Sequence, residues 1–148
     1  MATLKISDLS VGDWVGIDQA ELNMSSDDLT TAYIEKLRKP ICIKGISEGS
    51  GTVLAGIETV DGWGSIMLKC EYLKPIPITA EILEKNGWEC NEEDEYMAYY
   101  GDPTSGIAHT KGTYHYQLEV PGVSAVCYFV HQLQHALRLA GVEKEIIL

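Results

Sequence analysis

His131 and His135 stand four residues apart, a spacing at which one helical turn can bring two imidazoles onto one metal ion. The stretch His131-Gln132-Leu133-Gln134-His135 has the histidine spacing of the zinc-protease motif H-E-x-x-H. Gln132 stands where that motif has its general base, and an amide cannot take a proton from a zinc-bound water. At about 100° per residue, His131, His135 and Arg138 fall opposite Leu133 and Leu137. The expectation is two solvated histidines beside a cation, with no metal and no cofactor. A metal-dependent hydrolase using His131 and His135 is the chemical alternative. It needs a third ligand from Glu143, His109 or His115 once the chain is folded.

Cys127 lies four residues before His131. A thiolate at a helix N-terminus beside an imidazole can act as a nucleophile. The apolar run around it, Val126-Cys127-Tyr128-Phe129, argues for a small core residue instead. Cys42, Cys70, Cys90 and Cys127 form no C-x-x-C pair, against a zinc ribbon or a dithiol redox site. Ser105-Gly106 is not part of a G-x-S-x-G elbow. Gly49 and Gly51 are not followed by the Lys and helix of a phosphate loop. The acidic run Glu92-Glu93-Asp94-Glu95 lacks the pattern of a calcium loop and reads as a solvated loop. No catalytic set emerges.

Aromatic residues offer a different kind of site. Tyr96, Tyr99, Tyr100, Tyr114, Tyr116 and Tyr128 cluster in the second half of the chain. On a two-stranded sheet one set packs under helices and the other faces water. Tyrosine and tryptophan favour interfaces, so Trp88, Tyr96, Tyr99, Tyr100, Tyr114 and Tyr116 form the candidate interaction surface. A net charge of −11 repels phosphate backbones and disfavours nucleic acid as a partner. The sharper reading of that charge is an acidic DNA mimic that inhibits a host defence enzyme.

The elements that must hold these residues follow from periodicity and punctuation. Val126, Phe129, Val130, Leu133, Leu137 and Ala140 recur at helical spacing, with Gly141 as a stop, which predicts a C-terminal amphipathic helix. Leu4–Ile6 and Trp14–Ile17 read as strands joined through a Gly12-Asp13 turn, the opening of a small β-barrel. Ser26 caps a short helical insertion over about 26–38, ended by Pro40. Strands follow at 41–46, 52–60 and 65–70. Pro75 and Pro77 mark an extended boundary, and Thr79 and Gly87 bracket a short helix. Residues 96–100 and 113–120 read as a hairpin across a long loop at 101–112. The fold class is α+β. A β-barrel-like sheet occupies 1–74 and an α-β-β-α arrangement 75–148, together one compact unit of 148 residues. No stretch reaches the roughly 20 apolar residues that span a bilayer. Met1–Asp8 has neither the basic nor the apolar region of a signal peptide, so a cytoplasmic location and no membrane partner are expected.

Three phrases of the chain carry a resemblance. They are Gly12-Asp13-Trp14-Val15, Pro75-Ile76-Pro77-Ile78-Thr79 with Glu81-Ile82-Leu83 and Asn86-Gly87, and Val130-His131-Gln132-Leu133-Gln134. Together they resemble a family of small proteins from gut anaerobic bacteria, their prophages and mobile elements. The likeness covers most of the chain, with 18–40 as an insertion, and His135 lies outside it. That family has no assigned activity, so the resemblance brings no catalytic residues. It implies a cytoplasmic accessory protein. The expected function is non-enzymatic, through contacts with another protein or with a second copy.

Overall fold

A computed structural model describes residues 4–18, 39–59 and 62–148, with 57–59 and 62–65 as backbone only. The helix expected over 26–38 lies outside the described residues. The chain divides into two compact units, Met1–Ile76 and Pro77–Leu148, and the division falls inside the proline-marked connector. Each unit is built on an antiparallel sheet, and the class is α+β.

The first unit holds β1 (Trp14–Ile17), β2 (Ile41–Ser47), β3 (Thr52–Thr59), β4 (Gly62–Lys69) and β5 (Leu73–Lys74). Their order is β4-β3-β2-β1-β5. A barrel would require a further pairing between the two ends of that order. Alternation sets the faces: Ile43, Ala55 and Ile66 pair in register and are buried, as are Val53 and Leu68. Lys44 is the extra residue of a bulge between Ile43 and Gly45.

The strand expected at Leu4–Ile6 is instead a 3-10 turn, Ile6–Asp8. Asp8 causes it, because its carboxylate accepts from the Lys5 N–H at 3.0 Å and so closes the chain locally. Asp13 works the same way one turn later. It is fully buried, accepts from the Ser10 N–H at 2.8 Å and pins the entry to β1. Gly12, at φ +95°, supplies the left-handed step and donates to the Ile43 carbonyl at 2.7 Å.

The second unit departs further from the expected hairpin. It carries α1 (Ala80–Lys85), then β6 (Glu89–Glu93), β7 (Met97–Gly101), β8 (Gly106–Thr110), β9 (Tyr116–Val120), β10 (Val123–Cys127) and α2 (Val130–Leu139). The five strands form a meander in the order β10-β9-β8-β7-β6. The acidic run expected as a loop begins as the edge strand β6, whose five residues are all exposed. Charged edge strands resist pairing with other chains, which suits carboxylates there. The 101–112 loop contains β8, so Tyr96–Tyr100 pairs with β8 and β6 rather than with 113–120.

Short polar side chains make the turns. Asp94 accepts from the N–H groups of Tyr96 and Met97, both at 2.7 Å, and closes β6 onto β7. Pro121 and Gly122, the latter at φ +83°, close β9 onto β10. That turn makes Val123–Cys127 a strand, and α2 starts four residues later than the periodicity of Val126 suggests. The Thr79 hydroxyl caps α1 by accepting from the Ile82 N–H at 3.2 Å, and Gly87, at φ +90°, ends it.

Candidate functional site

Helix α2 carries both histidines, and its N-terminus explains Gln132. The Gln132 side-chain oxygen accepts from the N–H of Tyr128 at 2.8 Å and of Phe129 at 3.2 Å. The residue in the place of a catalytic glutamate is therefore a helix cap. Val130, Leu133 and Leu137 are buried as expected, but so are His131 and Gln134. His131 is thus corrected from the solvated face to the interior. Its ring lies parallel to Phe129, with centroids 6.0 Å apart. The half-buried His135 meets it edge-on at 5.8 Å. Among the described residues no three His, Cys, Asp or Glu side chains converge as metal ligands. Neither His109, His115 nor Glu143 joins the pair in such a group. His109 is engaged elsewhere, stacked on Tyr116 at 4.1 Å with its Nε2 3.0 Å from the Thr113 carbonyl. Micromolar zinc, or a chelator, is expected to leave the melting temperature unchanged. A rise with zinc would favour the hydrolase alternative.

Cys127 lies on β10, before the helix rather than at its N-terminus, and is buried. Burial pushes its thiol up to about 11, away from a thiolate nucleophile at neutral pH. Burial, reinforced by the Asp8 charge, also raises the thiol of Cys70, which donates to the Leu4 carbonyl at 3.2 Å. Cys90 is exposed on β6. Iodoacetamide at about pH 8 should therefore modify Cys90 early and Cys127 only on unfolding, as peptide mapping would show.

The aromatic candidates divide between surface and core. The row Tyr100–Ile107–Leu118 crosses three strands and is buried. Tyr99 and Val126, from the alternate residues, are exposed on the opposite face. Tyr116 is buried under His109, and Trp88 is 0% exposed. Trp88, Tyr100 and Tyr116 are therefore corrected from contact surface to core. Burial raises the phenols of Tyr100 and Tyr116, which stay neutral. Tyr96, Tyr99 and Tyr114 are exposed, and so is Tyr128. Tyr96, Tyr114 and Tyr128 collect at one end of the sheet. The Lys111 N–H donates to the Tyr96 carbonyl at 2.8 Å, joining the β6–β7 turn to the β8–β9 turn that bears Tyr114. His115 and Tyr128 approach at 5.9 Å.

A third cluster, marked by no motif, is built around Asp102. Asp102, in the β7–β8 turn, accepts through one carboxylate oxygen from the N–H groups of Thr104 at 2.7 Å and Ser105 at 2.8 Å. Its other oxygen meets the Lys144 ammonium at 2.6 Å. That ammonium also stands 4.6 Å from the ring centre of Trp88, whose Nε1–H donates to the Ser105 hydroxyl at 3.0 Å. Burial alone would raise the Asp102 carboxyl. The bonds from Lys144, Thr104 and Ser105 outweigh it and hold the group at about 2. Asp-x-Thr-Ser is a legible turn signal, but a lysine 42 residues away is not.

The fold and these clusters define an α+β protein with two antiparallel sheets and an exposed aromatic end. No protein-family model, no curated protein and no solved structure matches the chain. No helix among the described residues is long and apolar enough to cross a membrane.

Proposed function

We propose that the chain is a non-enzymatic accessory protein that binds another protein through the aromatic end of its second unit. The observation that supports this reading is the exposure of Tyr114 at 85% and Tyr96 at 68%, on turns held by backbone and side-chain hydrogen bonds. Large aromatic side chains on pre-formed turns lose little conformational freedom on binding and bury much area. The groups able to do chemistry serve the fold instead. Gln132 caps a helix, Ser105 sits between Trp88 and Asp102, and Cys127 is a buried neutral thiol. The resemblance to small proteins of gut anaerobes and their mobile elements fits an accessory role in the cytoplasm.

The test is a double substitution, Tyr96→Ser with Tyr114→Ser. Both phenols project into solvent, so the folding stability should stay within about 1 kcal/mol of the parent's. Cross-linking in a lysate of the producing cell, with light scattering of the purified chain, should show a partner or a self-complex that the double variant loses. A monomer that captures nothing, or a complex indifferent to both substitutions, counts against the reading.

A further inference from the structure

Helix α1 stops on the dipeptide Asn86-Gly87. The Gly87 N–H donates to the Glu84 carbonyl at 3.1 Å and the Trp88 N–H to the Leu83 carbonyl at 3.0 Å, with Gly87 in the left-handed region at φ +90°. The same dipeptide is chemically reactive. Asparagine is a labile side chain. A following glycine has no Cβ to hinder its neighbour, so its backbone nitrogen can close a five-membered ring onto the asparagine Cγ. The chain has three asparagines, Asn23, Asn86 and Asn91, and only Asn86 precedes a glycine.

The folded chain blocks that ring closure at each of its requirements. The Gly87 nitrogen must lose its proton, and that proton is held by the Glu84 carbonyl. The nitrogen must eclipse the Asn86 Cβ, and the Asn86 backbone, at ψ 13°, keeps the two out of line. The side-chain amide must turn toward Gly87, and three hydrogen bonds hold it elsewhere. Asn86 Nδ2 donates to the carbonyls of Ile82 and Ile147, both at 2.8 Å, and Oδ1 accepts from the Ile147 N–H at 2.7 Å. Water has little access, since Asn86 is 9% exposed.

We propose that Asn86 is a site of spontaneous deamidation gated by folding: it reacts in the unfolded chain, is shielded in the folded one, and once changed cannot restore its bonds to Ile147. The deprotonated Gly87 nitrogen attacks Cγ, the Cγ–Nδ2 bond breaks, and Nδ2 leaves as ammonia with a proton from water. One water then opens the succinimide at either carbonyl, giving aspartate or its isoaspartyl isomer at position 86. The net change is one water consumed and one ammonia released, with no oxidation or reduction. A carboxylate only accepts hydrogen bonds, so both bonds from Nδ2 vanish and a charged oxygen faces the Ile82 and Ile147 carbonyls. The isomer also adds a methylene to the main chain just before Gly87 and the fully buried Trp88. Either product marks a chain that has spent time unfolded, and refolding does not erase it.

The test follows the full chain by peptide mapping in mildly alkaline buffer, once folded and once in urea beyond its unfolding midpoint. Deamidation adds one mass unit to the peptide that holds Asn86. It should proceed at least tenfold faster in urea than in the folded protein, and in urea Asn86 should react well ahead of Asn23 and Asn91. Equal rates in the two states would show that the fold shields nothing. An Asn86 that stays intact in urea, or is matched there by Asn23 or Asn91, would show that it is not the site. The second half of the proposal is read on Asn86→Asp, which carries one product from the start. This variant should melt below the parent at neutral pH, and its Ile147 N–H should exchange with solvent at least tenfold faster. Failure of the variant to refold where the parent refolds gives the same answer. A variant that matches the parent in melting temperature and exchange overturns it.

Discussion

Asp102→Asn should destabilise the protein by about 2–3 kcal/mol at neutral pH, although the side chain keeps its size and one acceptor oxygen. The bonds from Thr104 and Ser105 can persist on that oxygen. What disappears is the negative charge facing Lys144 at 2.6 Å. The ammonium, with a side chain 20% exposed, is then left against Trp88 with only the ring to offset its lost hydration. Lys144→Met should cost a similar amount, by stranding the carboxylate. The double variant should cost less than the two singles together, with a coupling of about 1–2 kcal/mol in a denaturant-unfolding cycle. Additive costs would show that the pair does not act as one.

Acid should abolish the difference between the parent and Asp102→Asn. The folded carboxyl titrates at about 2, below the value of about 3.9 for an unfolded aspartate. A depressed folded value stabilises the protein above the unfolded value. That contribution is lost as pH falls from about 4 to about 2 and is worth about 2 kcal/mol. The stability gap should therefore be full at neutral pH and small at about pH 2. A gap that does not change over that range would mean that the charge on Asp102 contributes nothing.

What could be read in the sequence was local. Strands β2 and β3 are runs rich in β-branched and aliphatic residues on either side of a Gly-rich turn, and they formed close to their expected limits, whereas β4 begins at Gly62, three residues before its expected start. Helix α1 carries its own cap and stop in Thr79 and Gly87. What could not be read depended on partners far along the chain. Strand β8, Gly-Ile-Ala-His-Thr, has little strand character of its own and exists because β7 and β9 flank it. Strand β6 is mostly glutamate, a composition that fits only an edge. The helical period through Val126 was accidental, since Pro121-Gly122 turns that stretch back along β9.

The site followed the same rule. The angle about α2 assigned His131 to a polar face opposite Leu133, but burial is wider than the apolar stripe. His131 and Gln134 go in with the leucines, and Phe129 stacks on the His131 ring. Alternation predicts that half the tyrosines of a sheet are core, yet which half depends on register. Met97↔Thr110 and Tyr100↔Ile107 set it, burying Tyr100 and leaving Tyr99 out.

Trp88 shows most sharply what the sequence alone misplaces, and its substitution should have the largest effect of any single change in the second unit. On a contact surface, Trp88→Ala would alter stability by no more than about 0.5 kcal/mol. In the structure the indole is fully buried, and removing it should cost about 3–5 kcal/mol. Two further losses accompany the cavity. The Ser105 hydroxyl loses its donor, and the Lys144 ammonium loses the ring beneath it. Trp88→Phe separates these contributions. Phenylalanine keeps an aromatic face for the ammonium but removes the Nε1–H, and Ser105 can still donate to Asp102, 3.3 Å away. Its cost should be about 1–2 kcal/mol, well short of the alanine variant. Near-neutral stability for both, measured by denaturant unfolding, would return Trp88 to the surface.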